Sequence, residues 1–225
     1  MSNGKTAALV CADALYVGDG TMLTNVAVAI EGGSVAGISQ FDPKTTLPVG
    51  AIRAAIAAPG FIDIQINGAK DRQFNDLPDI ETVRAISEGA RAGGTAHVLP
   101  TFITAPDRDY CRAIDAVAKA LAASVPGVLG VHLEGPFLNP VRGGIHDQSC
   151  MRPADAEDLA ELGDFTAGKL LVTLAPELQE PGTVRQLVNQ GAVVFAGHSA
   201  ATAAEIAAAA SEGLAGATHL FNAMS

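Results

Sequence analysis

The sequence has few basic residues, few cysteines and no long apolar run. Lysine and arginine number only 14 among 225 residues, and the formal net charge is −10. Binding along a phosphate backbone needs clustered basic side chains, so no nucleic-acid partner is expected. The three cysteines, Cys11, Cys111 and Cys150, are far apart and form no CxxC pair. An odd, dispersed set argues against a disulfide framework and predicts a cytoplasmic protein.

The apolar runs are too short for a membrane protein. None approaches the roughly 20 residues that a membrane-spanning helix needs. The apolar stretch 7–17 contains Asp13 and lacks a basic region followed by a long apolar one, which favours a strand over a signal peptide. No membrane partner is therefore expected.

Two regions differ in their pattern. Residues 1–57 contain short β-like runs broken by turns such as Asp19-Gly20 and Glu31-Gly32-Gly33, which predicts a small antiparallel β unit. The boundary falls near Ala57-Ala58-Pro59-Gly60. Residues 58–225 alternate apolar strand-like runs with helical stretches, a pattern that predicts a parallel sheet with crossover helices. The predicted elements include a strand over 61–66, a helix over 80–92 and a final strand over 216–220.

About six such strands can be counted. A closed (β/α)8 barrel needs eight and takes about 250 residues, so the expected class is α/β, an incomplete TIM-like barrel. A doubly wound open sheet is the alternative. No GxGxxG motif follows any strand, which disfavours it.

Three polar residues stand at or just past strand ends: Glu134, His198 and His219. Taken singly, each is also compatible with a solvent-facing carboxylate or a structural histidine. In a parallel barrel these positions converge at the carboxyl-end mouth, where active sites form. A carboxylate and two imidazoles that leave a fourth position open are typical of catalytic zinc. The same set tolerates iron, manganese or cobalt.

Other polar residues lie near the same mouth. Gln65 and Asn67 are two apart on the first barrel strand, so their side chains share a side. Amides are poor zinc ligands, which favours a single metal, although both residues could simply bond loop backbone. The Gly-rich loop 139–147 contains Arg142 and His146 and suits an anionic ligand, unless it is an ordinary surface loop. Glu177 also follows a strand, but three ligands already complete the metal set.

Seven segments of this sequence together resemble the N-acetylglucosamine-6-phosphate deacetylases of the amidohydrolase superfamily. The resemblance implies a (β/α) barrel with a small β-sandwich, so residues 1–57 would be part of the sandwich and 58–225 the first part of the hydrolase barrel. The segments are PGFIDIQING (59–68), FND (74–76), LPT (99–101), HLEGPFLN (132–139), LAPE (174–177), GHS (197–199) and THLFNAM (218–224).

The resemblance also implies a function and roles for residues. The reaction would be metal-dependent deacetylation of N-acetylglucosamine 6-phosphate in amino-sugar catabolism, by a homodimer. Glu134, His198 and His219 would hold one divalent metal, zinc above all. Gln65 would lie near the metal-bound water. The amino-sugar phosphate would contact positions 145, 146, 222 and 223, which are Ile145, His146, Asn222 and Ala223.

Two departures from the family pattern bear on this expectation. Ala69-Lys70-Asp71-Arg72 replaces a Gly-rich segment, and the chain stops at Ser225, before the family's general acid/base aspartate. We therefore expect a C-terminally truncated chain that is inactive alone. The alternatives are a non-catalytic fragment that binds metal or sugar phosphate, and an amidohydrolase for another N-acyl substrate.

Overall fold

A computed structural model describes residues 7–222, and the chain divides between Gly60 and Phe61 into two compact units. The first unit is a four-stranded sheet of order β3-β2-β1-β4. Strands β1, β2 and β3 pair antiparallel, as the sequence predicts, whereas β4 runs parallel to β1. The sequence analysis did not identify β4. The strands are β1 (Ala7–Tyr16), β2 (Met22–Glu31), β3 (Ser34–Gln40) and β4 (Ile52–Ala57).

The second unit alternates strands and helices, which confirms the predicted α/β class. Short 3-10 turns lie at Pro140–Arg142, Gln148–Cys150 and Pro176–Leu178. The main elements are β5 (Phe61–Ile66), β6 (Gly68–Ala69), β7 (Arg72–Gln73), α1 (Ile80–Ala92), β8 (Thr95–Ile103), α2 (Tyr110–Ala122), β9 (Gly130–Glu134), α3 (Ala156–Gly163), β10 (Lys169–Leu174), α4 (Thr183–Asn189), β11 (Val193–Ala196), α5 (Ala203–Glu212) and β12 (Gly216–Ala217).

Six of these strands form one parallel sheet in the order β5-β8-β9-β10-β11-β12. The order follows the chain without a reversal, so the sheet has no topological switch point of the doubly wound kind. Sequential parallel strands joined by helices are consistent with part of a TIM-like barrel. Among the helices of the described residues, none combines the length and the apolarity needed to cross a membrane.

The two faces of the sheet differ in chemistry. Along β9, Val131 and Leu133 join the large apolar core, which also contains buried residues of helices α1 to α5. Alternate side chains of a strand project to opposite faces. His132 and Glu134 therefore face away from that core, and both are buried. The strand pattern thus places polar groups on the side where the candidate site lies.

The last strand is shorter than predicted. The apolar pattern indicated a strand over residues 216–220, but β12 ends at Ala217. His219 and Phe221 have φ values of 57° and 66°, which lie in the left-handed region and are incompatible with a continuing strand. The chain therefore turns at the residue that was predicted as a metal ligand.

The segment that departs from the family pattern forms a tight hairpin. Strands β6 and β7 pair antiparallel around the two-residue turn Lys70-Asp71. Both residues have positive φ, 51° and 58°, as a type I′ hairpin turn requires. Lys70 Nζ also lies 2.6 Å from Glu88 Oε2 on α1. The turn forms without glycine at either central position.

A buried carboxylate ties the loop after β9 to helix α3. Asp158 is fully buried and accepts hydrogen bonds from Tyr110 Oη at 2.7 Å, from the Asp155 N–H at 2.8 Å and from both Nη atoms of Arg152. Burial alone would raise the pKa of Asp158, but these hydrogen bonds outweigh it and lower the pKa to about 2.

Stability should therefore depend on pH through Asp158. Because its pKa in the folded protein lies below the ordinary value of 3.8, its contribution is present above about pH 4 and is lost as the pH falls towards 2. We expect this contribution to be about 2 kcal/mol, and D158N to remove that part of the pH dependence. Urea unfolding between pH 7 and pH 2 measures it. D115N, on an exposed helical face, should keep the wild-type pH dependence; equal slopes for wild type and D158N would contradict the prediction.

Candidate metal centre

The structure brings Glu134, His198 and His219 together at the carboxyl ends of the parallel strands. Glu134 is the last residue of β9, and the two histidines each lie two residues past the end of their strands, β11 and β12. Both histidines have positive φ, 48° and 57°, so the chain turns sharply there and directs each ring back towards Glu134. Glu134 and His198 are buried, with exposures of 2% and 4%.

One carboxylate oxygen is shared by the two imidazoles. Glu134 Oε1 lies 3.2 Å from His198 Nε2 and 2.9 Å from His219 Nε2. The three potential ligand atoms all lie within 4.8 Å of one another. Ligand atoms at 2.0–2.1 Å from a tetrahedral zinc are about 3.3 Å apart. The spacing in the structure therefore fits a small divalent cation.

The hydrogen bonding of His198 strengthens this fit. His198 Nδ1 lies 2.9 Å from the carbonyl oxygen of Arg142, which can only accept, so Nδ1 carries a proton. A neutral His198 then presents the lone pair of Nε2 to Glu134 Oε1. Two acceptors face each other favourably only with a proton or a cation between them. The second nitrogen held by a backbone carbonyl is the usual arrangement of a metal-binding histidine.

The ionisable groups of the site influence one another. Burial alone would raise the pKa of Glu134, but the bond with His198 and the neighbouring imidazoles lower it to about 2. Burial alone would lower the pKa of His198, yet its bonds to Glu134 and to the Arg142 carbonyl raise it. For His146, burial prevails over the attraction of Glu134 and lowers the pKa to about 4. His146 is therefore neutral near pH 7.

Gln65 and Asn67 both line the cavity at this centre. Gln65 Nε2 donates to the second oxygen of Glu134, Oε2, at 2.9 Å. The amide thus fixes the carboxylate that the histidines share.

The remaining predicted site residues are those expected to contact the sugar. His146 is buried, with Nδ1 2.9 Å from Thr104 Oγ1 and Nε2 3.9 Å from Glu134 Oε2. Ile145 lines the same cavity and is 88% exposed. Asn222 is exposed in the turn after His219, whose carbonyl accepts from its N–H at 2.7 Å. Ala223 lies outside the described residues.

A cavity of about 510 Å³ opens above these groups. Its lining includes four residues to which the sequence analysis gave no role: Gln73, Asn75, Asp76 and Ile103. Asn75 could have been suspected from its FND segment. Its side chain exchanges two hydrogen bonds of 2.9 Å with the backbone of Ile103, at the end of β8. Thr104, which contacts His146, has no sequence signal because its role arises only from folding.

Comparison with known proteins yields consistent relatives, although no family model matches the chain. It is 33% identical over 220 residues to an N-acetylgalactosamine-6-phosphate deacetylase from a Shewanella species, covering 96% of this chain and 56% of that protein. It is 34% identical over 208 residues to an N-acetylglucosamine-6-phosphate deacetylase from Haemophilus influenzae, covering 91% and 54%.

A solved structure agrees with these relatives. The D267A mutant of the Mycobacterium smegmatis N-acetyl-D-glucosamine-6-phosphate deacetylase, in complex with N-acetyl-D-glucosamine-6-phosphate, superimposes with a TM-score of 0.83 at 29% identity. The match covers 98% of this chain and 57% of that one. The chain therefore spans about half the length of the proteins that it matches.

The strand order and the group of a carboxylate and two imidazoles at the strand ends accompany these similarities, and together they mark the chain as a homologue of sugar-6-phosphate deacetylases. Among the relatives that it matches over about half of their length are N-acetylglucosamine-6-phosphate deacetylases.

Gly135, which follows Glu134, should be intolerant of a side chain. At its φ of +91°, a Cβ would lie 2.1 Å from Thr104 Oγ1, the atom that contacts His146. We expect G135A to lower the free energy of unfolding by more than about 2 kcal/mol, from backbone strain and this clash together. Urea unfolding measures the loss.

Gly182 provides the matched control for that substitution. It has the same φ of +91°, but a Cβ there would meet nothing within 4 Å. G182A should therefore show the backbone strain alone, about 1–2 kcal/mol. Equal losses for the two variants would contradict the proposed clash with Thr104.

Proposed function

We propose that the protein containing this chain is a metal-dependent deacetylase that converts N-acetylglucosamine 6-phosphate to glucosamine 6-phosphate and acetate in amino-sugar catabolism. The observation that carries the proposal is the meeting of Glu134, His198 and His219 in a cavity, in a homologue of such deacetylases. The bound N-acetyl-D-glucosamine-6-phosphate of the Mycobacterium smegmatis protein supports the substrate class.

The three ligands would hold one divalent ion, with zinc favoured over iron, manganese and cobalt. Such an ion acts as a Lewis acid that activates water and polarises an amide carbonyl. Gln65 keeps Oε2 of Glu134 occupied at 2.9 Å, which leaves Oε1 for the metal. With amides at 65 and 67, this side of the site offers no imidazole for a second ion.

His146 would contact the acyl group. Its Nε2 is on the side of Glu134, while its Nδ1 is engaged by Thr104 at 2.9 Å. If the Thr104 hydroxyl donates to Nδ1, the neutral ring carries its proton on Nε2 and can donate to a developing oxyanion. Positioned donors of this kind are worth roughly 3–4 kcal/mol in acyl-transfer transition states. Ile145, Asn222 and Ala223 complete the proposed sugar contacts.

A proton must also pass from water to the leaving amine. Among the described residues, Glu134 and Asp76 are the carboxylates that line the cavity. Glu134 is committed to the imidazoles. We propose that the aspartate which carries the proton lies in the part of the relatives' length that this chain does not span.

The remaining parts of the proposal concern the whole protein. The first unit would contribute to a small β-sandwich, and the second would be the first part of an eight-stranded barrel. We also propose a cytoplasmic location, on the ground that three dispersed cysteines suit a reducing compartment. A homodimer follows from the family resemblance.

A second substrate is favoured by a specific observation. The Shewanella relative is an N-acetylgalactosamine-6-phosphate deacetylase, and it matches over 96% of this chain. The two sugars differ only in the configuration at C4. The candidate metal centre serves either of them, so the choice depends on contacts to the sugar ring.

Metal binding is the first test. We expect the chain, purified without added metal, to contain about one divalent ion, mainly zinc, when measured by elemental analysis. E134Q and H219A should lose it, because each removes one of only three protein ligands. H97A is the control, since His97 is an exposed histidine of β8. A wild-type chain that stays free of metal when supplied with zinc would refute the site.

Acetate release is the second test. Substrates are N-acetylglucosamine and N-acetylgalactosamine, each with and without the 6-phosphate. The longest polypeptide that the gene encodes around this segment should release acetate from a 6-phosphate substrate, whereas residues 1–225 alone should release none. Release by residues 1–225 would show that no further carboxylate is needed. Absence of release by the longer polypeptide would refute the activity.

A further inference from the structure

We propose that Glu177 is a positioning residue that fixes the turn carrying His198 and thereby the place of its Nε2 atom. Glu177 lies in the 3-10 turn Pro176–Leu178, directly after β10. The chain order places this turn between the loops that follow β9 and β11, which provide Glu134 and His198. The inference rests on the proposed metal centre.

The carboxylate of Glu177 joins three loops through short hydrogen bonds. Its Oε1 accepts from the Ala200 N–H at 2.7 Å and from Asn139 Nδ2 at 2.9 Å. Its Oε2 accepts from Ser199 Oγ at 2.7 Å. Ser199 and Ala200 immediately follow His198, so two of the three hydrogen bonds fix the turn directly after this residue.

The third bond, from Asn139, also supports this turn, through the backbone of Asn139. Asn139, held by Glu177 through its side chain, donates its backbone N–H to the carbonyl oxygen of His198 at 3.0 Å. His198 Nδ1 contacts the Arg142 carbonyl in the same loop at 2.9 Å. The backbone and the ring of His198 are therefore both attached to a loop that Glu177 anchors.

His198 needs such support because its backbone is strained. Its φ of 48° lies in the left-handed region, which is disfavoured for a residue with a Cβ. Such conformations persist only where the surroundings over-determine them. Without the Glu177 carboxylate, the donors of Ser199, Ala200 and Asn139 would lose their shared acceptor. The turn could then relax away from the geometry that directs Nε2 at Glu134.

Glu177 itself does not belong to the metal centre. Within the described residues, the group able to hold a metal consists of Glu134, His198 and His219. Both oxygens of Glu177 are already occupied by donors. Groups that orient metal ligands without touching the metal typically affect metal affinity by 10–100-fold.

The chemistry of the cluster predicts that glutamine can replace Glu177. The amide oxygen can still accept from Ala200 and Asn139. Ser199 Oγ already accepts from the Ala201 N–H at 3.0 Å and has a second lone pair for the new NH2 group. Alanine offers neither group. If Glu177 positions the turn, E177Q should behave like wild type and E177A should not. If the negative charge matters instead, both variants should differ from wild type.

The experiment compares zinc affinity of the full 225-residue chain by competition with a chelator. We expect E177A to bind zinc 10–100-fold more weakly and E177Q to stay within about threefold of wild type. E180A, at an exposed carboxylate three residues further on, should match wild type. Wild-type affinity in E177A would overturn the proposal. An E177Q variant as weak as E177A would do the same, because it would assign the effect to charge.

A measurement without metal separates this inference from the proposed function. In the metal-free chain, the Nδ1–H proton of His198 should give a slowly exchanging NMR signal, because it is hydrogen-bonded to Arg142. The signal should persist in E177Q and disappear in E177A. If wild type binds no zinc, the metal centre fails, and this signal alone decides the positioning role: its persistence in E177A would overturn it.

Discussion

The candidate site depends on one buried oxygen, Oε1 of Glu134, which faces His198 Nε2 at 3.2 Å and His219 Nε2 at 2.9 Å. An ionised carboxylate is costly to bury unless it is paired or bound to a cation. Parallel strands supply the pairing, because their carboxyl ends lie at one edge of the sheet. Gln65 occupies the other oxygen, so the carboxylate has a single orientation.

The loops that hold these groups have strained backbone conformations, and contacts of neighbouring residues keep them in place. His198 and His219 both adopt left-handed backbone conformations, where side chains are disfavoured. Glu177 joins the loop that contains His198 to the loop that contains Asn139. Gly135 leaves room for Thr104 next to Glu134. Hydrogen bonds therefore fix the loops where the chemistry needs precise distances, while the other face of the sheet packs against the apolar core.

The sequence predicted the regular elements well and the contacts between loops poorly. Strand β5 and helix α1 were predicted with the bounds that the structure has, because their hydrophobic periods are clear. The parallel pairing of β4 with β1 was missed, since a short strand at a sheet edge has little pattern of its own. The early end of β12 was also missed, because a positive φ at a histidine has no signature in an apolar run.

The sequence by itself determined the α/β alternation and the three metal-binding candidates, because periodicity and strand-end position are local properties of the chain. Only the tertiary structure decided that the Arg142 carbonyl orients His198, that Thr104 contacts His146, and that Glu177 holds loops rather than metal. Such roles depend on atoms that are up to 56 residues apart along the chain. Spacing in sequence carries no information about which donor meets which acceptor once the strands are aligned.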